Sequence, residues 1–195
     1  MIRLAKPHIT EEAIGIVAEV LRSGNLVQGE YVKQFEQGLE QYLNVKHAVL
    51  VSSGTAALHL SLLALEIGSG DEVIVPAFTY PATANVVEIV GAKPVLVDIT
   101  LDDFCIDISK IEAVITDRTK AIIPVHEFGQ SADIDPILAI AKQYNLMIVE
   151  DAACALGSEY KEQKAGTFGN LGCFSFHPRK AITTGEGGAI VTDDQ

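Results

Sequence analysis

Several short stretches of this sequence hold residues able to do chemistry together. Ser52-Ser53-Gly54-Thr55 lies between an apolar, strand-like run at 47–51 and an alanine- and leucine-rich helical pattern at 56–65. The first N–H groups of a helix have no partner within it, and the helix dipole favours an anion there. Gly54 lets the chain come close, while Ser53 and Thr55 add hydroxyl donors. A phosphate fits such a turn, and so does an ordinary N-cap, where Ser and Thr are favoured. The stretch lacks the lysine of a Walker loop and the spacing of a dinucleotide fingerprint. Phe78-Thr79-Tyr80 follows another strand-like run. An aromatic ring there either stacks on a planar heterocycle or fills the core.

Glu150-Asp151 comes directly after the apolar run Leu146-Met147-Ile148-Val149. Charge at the end of a buried strand is costly unless it is paired, hydrogen-bonded or matched by a cationic ligand, so at least one of the two acids needs a specific partner. A helix cap or a salt bridge would serve as well as a ligand nitrogen. In Cys173-Phe174-Ser175-Phe176-His177-Pro178-Arg179-Lys180, a strand's period of two sends both phenylalanines to one face and Ser175 to the other. Lys180 then stands where the strand should end. It reads as a solvated surface charge or as an amine able to form a Schiff base. The glycines of Thr183-Thr184-Gly185-Glu186-Gly187-Gly188 allow close packing beside Lys180 or a tight hairpin.

The elements that position these residues alternate in period. Thr10 with Glu11 and Glu12 opens a helix whose apolar set Ala13, Ile14, Val17, Val20 and Leu21 stops at Ser23-Gly24. Val32, Phe35, Leu39 and Leu43 mark a second helix. Beyond the helix at 56–65, strand-like runs at 72–76, 94–99, 121–125 and 146–149 alternate with helical patterns at 82–90, 110–115 and 134–144. Later strands follow at 173–176 and 189–192. Short apolar strands alternating with helices predict one α/β domain, a three-layer α/β/α arrangement around a mostly parallel sheet. In such sheets ligands sit beyond the carboxyl ends of the strands, where the residues above fall.

Composition narrows the ligand. The chain of 195 residues is 48% hydrophobic and 21% charged, enough to bury a full core. Its net charge of -12 is spread along the chain, which disfavours nucleic acid and anionic membrane and leaves a small molecule as partner. Residues 1–8 lack the apolar core of a secretory signal, and no apolar span is long enough to cross a bilayer. Cys105, Cys154 and Cys173 are widely spaced and odd in number, fitting neither a disulfide framework nor a zinc cluster, so a reducing cytoplasm is expected.

The blocks SSGTAALHL, GDEVIVPAFTYPATAN, GAKPVLVDI, IEAVITDRTKAIIPVHEFGQSADID, IVEDAACALG and SFHPRKAITTGEGGAIVT resemble, in that order, the DegT/DnrJ/EryC1/StrS aminotransferases. That family has the fold-type-I architecture of enzymes using pyridoxal 5'-phosphate (PLP). The resemblance implies that Lys180 carries PLP as a Schiff base and then shuttles a proton. It implies that Asp151 keeps the pyridine nitrogen protonated, that Ser53, Gly54, Thr55 and Ser175 form the phosphate end, and that Tyr80 stacks on the ring. The implied reaction passes an amino group from glutamate, through the cofactor, to a keto group of a nucleotide-linked sugar. Active sites in the family form between two subunits of a homodimer.

Cys154 stands where many relatives have His or Gln near the ring's phenolic oxygen. Members also continue beyond the position of Gln195 with the rest of the large domain and a C-terminal domain. Residues 1–195 therefore read as an incomplete PLP-binding large domain whose C-terminal domain is absent, and weak or no turnover is expected of the chain alone. Alternatives are a sugar dehydratase of the same family or a silent homologue that dimerises or senses a ligand. Dehydratases that replace the lysine with His are disfavoured by Lys180.

Overall fold

A computed structural model describes residues 6–194. The first residues of the N-terminal stretch read above as lacking a secretory signal, 1–5, lie outside the described part. Helix α1 (Glu11–Ser23) is capped by Thr10, whose hydroxyl accepts from the Ala13 N–H at 3.1 Å, and it ends at Gly24 in the left-handed conformation. Helix α2 (Glu30–Leu43) leads into strand β1 (His47–Val51). Helix α3 (Gly54–Ala64), strand β2 (Glu72–Pro76), helix α4 (Ala82–Ile89) and strand β3 (Lys93–Val97) follow. Strand β4 (Thr119–Ile122), helix α5 (Ile134–Tyr144) and strand β5 (Met147–Asp151) continue the alternation. A two-stranded ribbon, β6 (Glu159–Tyr160) and β7 (Gln163–Lys164), precedes strands β8 (Leu171–Ser175) and β9 (Gly188–Thr192).

Seven strands form one sheet in the order β1-β9-β8-β5-β4-β2-β3. The pairs β8/β5, β5/β4, β4/β2 and β2/β3 are parallel, while β9 runs antiparallel to both its neighbours. The mostly parallel sheet expected from the alternation is present, and period two sorts its side chains. Val73, Val75, Ala121, Val149 and Cys173 pack with Leu58, Leu62, Val86 and Val87 of α3 and α4 on one face. Ile74, Ile122 and Ile148 meet Ile134, Ile137 and Ala141 of α5 on the other, where Phe174 and Phe176 pack with Leu39 and Leu43 of α2. By contrast α1 buries none of its residues within the chain.

The structure departs from the sequence reading in several places. The helix expected at 110–115 is a pair of 3-10 turns, Ile108–Lys110 and Glu112–Val114, the first capped by Asp107. The stretch buries Ile111 fully but is too short to offset the cost of nucleating an α-helix. The strand expected at 121–125 ends at Ile122, although the chain stays beside the sheet through a bridge between Val125 and Asp151. Strand β5 runs through Asp151, so the acid pair lies inside it rather than after it. The backbone continues the ladder, Asp151 N–H donating to the Pro124 carbonyl at 2.9 Å and Ala152 N–H to that of Cys173 at 2.9 Å.

The glycine stretch at 183–188 is no tight hairpin: β8 and β9 pair, but a long loop carrying Lys180 joins them. The Phe176 N–H donates to the Gly187 carbonyl across its neck at 2.8 Å. The β6/β7 ribbon went unread because its two-residue turn is Lys161-Glu162, with φ of 48° and 68°. Such turns normally announce themselves with Asn-Gly or Asp-Gly.

Glu150 ties this region together. It is fully buried and accepts from the N–H groups of Gly166 at 2.9 Å, Phe168 at 2.6 Å and Gly169 at 2.7 Å, and it bonds His126 Nε2 at 2.8 Å. The Ala132 N–H donates to His126 Nδ1 at 3.2 Å, so the ring's proton sits on Nε2 and points at Glu150. Removing the carboxylate would strand three backbone donors and an imidazole in the interior. Glu150→Ala is expected to lower the unfolding free energy in urea by about 3–5 kcal/mol. A loss below about 1 kcal/mol would show that the 166–169 loop is held by something else.

Candidate functional site

The carboxyl ends of the parallel strands converge on a cavity of about 500 Å3. Ser53, Gly54 and Thr55 reach it from the turn after β1, Thr79 and Tyr80 from the segment after β2, and Val125, His126 and Glu127 from the segment after β4. Asp151 comes from the end of β5, and Ser175, His177, Arg179 and Lys180 from the end of β8 and the loop beyond it. Ser53, Gly54, Thr55, Tyr80, Asp151, Cys154, Ser175 and Lys180 therefore line this one space, whereas Phe78 and Glu150 do not.

Period two in neighbouring strands explains much of the placement. Asp151 shares its face with Val149 and Ser175 with Cys173, which is the face covered by α3 and α4. Ser175 thus meets the start of α3, and so closely that a Cβ on Gly54 would lie 2.8 Å from the Ser175 Cβ. On the other side of the same turn, a Cβ on Gly188 would come within 2.4 Å of the Ser53 backbone. Glycine at these two positions lets β8, β9 and the start of α3 touch. The Ser53 hydroxyl accepts from the Ala56 N–H at 3.0 Å, so it is the N-cap of α3 as well as part of the cavity wall. The N–H groups of Gly54 and Thr55, in the first turn, have no partner within the helix.

Asp151 is only 5% exposed. Its carboxylate accepts from the Thr83 hydroxyl at 2.8 Å and from the Ala153 N–H at 3.2 Å, and Thr83 in turn contacts the Thr79 hydroxyl at 3.0 Å. Burial pushes the Asp151 carboxyl above its ordinary value, and these hydrogen bonds together with the charge of Lys180 only partly oppose the rise. Glu127 is also raised, by burial and then by repulsion from Asp151, against attraction from Lys180. Two carboxyls with raised proton affinity beside an amine make the cavity receptive to a cationic or proton-donating group.

The half-buried Lys180 directs its amine at the Cys154 sulfur, 2.9 Å away. Tyr80 is 74% exposed at the cavity mouth and Phe78 46%, so neither is the core ring that one reading of the stretch allowed. Sequence reading passed over Thr83, which holds Asp151, and the His126-Glu127 pair. The latter carried a usable signal, being polar side chains just beyond the apolar run at 121–125.

Comparison with known proteins places the chain. The model of the DegT/DnrJ/EryC1/StrS aminotransferase family matches residues 7–195. GDP-perosamine synthase of Caulobacter vibrioides is 52% identical over 166 residues, which are 85% of this chain and 45% of that protein. UDP-4-amino-4-deoxy-L-arabinose--oxoglutarate aminotransferase of Shewanella sediminis is 46% identical over 191 residues, 98% of this chain and 49% of that protein. The solved structure of Spr1654 from Streptococcus pneumoniae in its PLP form superposes with a TM-score of 0.94 at 41% identity, covering 100% of this chain and 53% of that one. The chain thus spans about half the length of the curated relatives it matches. Matched by the family model over nearly all of its residues, it belongs to the DegT/DnrJ/EryC1/StrS aminotransferase family.

Proposed function

We propose that this chain is the cofactor-binding part of a PLP-dependent aminotransferase that moves an amino group from glutamate to a keto carbon of a nucleotide-linked sugar. The observation that carries the reading is the convergence of an amine, a buried carboxylate and an open helix start on one cavity. These groups are far apart in sequence, and no structural duty of Lys180 requires them together. The names of the relatives from Caulobacter vibrioides and Shewanella sediminis support a nucleotide-linked acceptor, and the second names oxoglutarate, the keto acid that glutamate becomes on losing its amino group.

The residues present fit the group. A volume of about 500 Å3 is in the range of small-molecule sites. The glycine at position 54, with no room for a side chain beside Ser175, leaves bare N–H donors and hydroxyls to hold a phosphate. When bound, PLP supplies an electron sink that stabilises negative charge on the carbon losing its proton.

The chain's own residues do the rest. Gly54 and Thr55 N–H groups, with the Thr55 and Ser175 hydroxyls and Ser53 beside them, grip the phosphate and fix the cofactor's position. Asp151 offers its buried carboxylate to the ring nitrogen. As a carboxylate Asp151 would keep that nitrogen protonated, and Thr83 holds it in line. Tyr80, exposed at the mouth, stacks on the ring and excludes water. The Lys180 amine would hold the cofactor and, once free, take up and return a proton at its Nζ, and Cys154 lies beside it. Lys180 also favours amino transfer over dehydration of the kind run with His at this position. We extend the reading to a cytoplasmic homodimer with active sites shared between subunits, to which the chain's unpaired thiols are suited.

Mixing the chain with PLP is expected to give a visible absorption band that Lys180→Ala abolishes while leaving the circular dichroism spectrum unchanged. An equal band in the variant would contradict the assignment. Asp151 yields a second outcome with a definite sign. Its folded proton affinity is above the unfolded one, so its contribution to stability is full below the ordinary carboxylate value of 3.8 and is lost as pH rises through the folded value. In urea titrations without cofactor, Asp151→Asn should gain on the parent as pH climbs from that point, yet bind PLP at least about tenfold more weakly. A stability of the variant that instead falls relative to the parent as pH rises would show that Asp151 is not buried against its charge.

A further inference from the structure

Cys154 and Lys180 meet in a way that cofactor binding does not need. The amine nitrogen lies 2.9 Å from the sulfur, and the backbones on both sides are pinned. A Cβ on Gly129 would lie 3.1 Å from the Cys154 carbonyl oxygen, and the Ser158 hydroxyl donates to the Gly129 carbonyl at 2.6 Å, so the turn after β4 braces the cysteine. The Lys180 N–H donates to the His177 carbonyl at 2.9 Å, which fixes the lysine's turn. Cys154 is exposed in the cavity, whereas Cys105 and Cys173 are buried. Burial pushes the Cys105 thiol to about 11 and that of Cys173 further up, leaving both inert. An exposed thiol next to a lysine is the setting in which cysteines are oxidised selectively.

We propose that Cys154 and Lys180 form a peroxide-responsive pair in which oxidation of the thiol joins the two side chains through a sulfur–nitrogen bond. In the first step the sulfur attacks one oxygen of hydrogen peroxide. The O–O bond breaks, the thiol becomes a sulfenic acid, and water leaves. In the second, the Lys180 nitrogen attacks that sulfur, the S–O bond breaks, and the hydroxide departs with a proton from the amine as a second water. Sulfur is oxidised by two electrons, peroxide is reduced by two, and the protein loses two hydrogens. Thiols restore both side chains, as they do other oxidised forms of this grade. While the bond exists, Lys180 cannot anchor a cofactor, a consequence that rests on the function proposed above. The bond itself does not. Bound PLP would occupy the amine and protect the pair, so the chain without cofactor is the form that responds.

The test treats the cofactor-free chain with hydrogen peroxide and follows intact mass. The expected product is lighter by about 2 Da, returns to the starting mass with dithiothreitol, and yields on digestion a linked peptide pair containing residues 154 and 180. It is absent from Cys154→Ser and from Lys180→Ala, and adding PLP before the peroxide suppresses it. A gain of about 16 or 32 Da confined to Cys154, a disulfide-linked dimer, or an unchanged mass would overturn the proposal. The visible band of PLP on the untreated chain reports separately: its absence alongside a formed cross-link would sink the proposed function and leave the pair standing.

Discussion

Adjacent carboxylates at the end of β5 point to opposite faces of the sheet, and the site depends on what each one meets there. Glu150 faces the α2 and α5 side and is used up by four hydrogen bonds, three from the 166–169 loop and one from His126. Asp151 faces the α3 and α4 side, where Thr83 and the Ala153 N–H satisfy part of its capacity and the cavity receives the rest. Alternation along a strand makes this division unavoidable once the register of β5 between β4 and β8 is set. A slip by one residue would bury the catalytic candidate among backbone donors and turn the structural acid into the cavity.

Much of the surrounding geometry serves the same end. Parallel strands finish together at one edge, so groups from the ends of β1, β2, β4, β5 and β8 arrive at a common place without long connections. The antiparallel strand β9 has a different use. Inserted between β1 and β8, it brings Gly188 against the Ser53 backbone and so presses the start of α3 onto Ser175. The open helix start and the carboxylate end of the cavity are thus built by different elements, which suits the proposed ligand with its phosphate at one end and basic nitrogen at the other.

The fold was largely legible in the sequence, because short apolar strands alternating with amphipathic helices have few other solutions. Thr10, Ser53 and Gly24 marked helix ends where the structure has them. What escaped is local: a ribbon turned by Lys161-Glu162 in a conformation those residues seldom adopt, and 3-10 turns where a helical period was too short to settle as α. At the site, the residues that the family resemblance assigned to the cofactor all line the cavity, whereas Glu150 and Phe78, read beside them, do not. Thr83 escaped because it lies within α4, and no feature of its own sequence says that its hydroxyl reaches a carboxylate on β5. The contact between Cys154 and Lys180 escaped likewise, since loops of unrelated sequence position bring them together.

Reductive trapping with borohydride in the presence of PLP, followed by peptide mapping, tests the central claim most directly. The account predicts a single phosphopyridoxyl label, on Lys180, whose amine is the one held inside the cavity with Asp151 and Ser175. Labels spread over exposed lysines such as Lys33, Lys46 and Lys120, with Lys180 left unmodified, would contradict it.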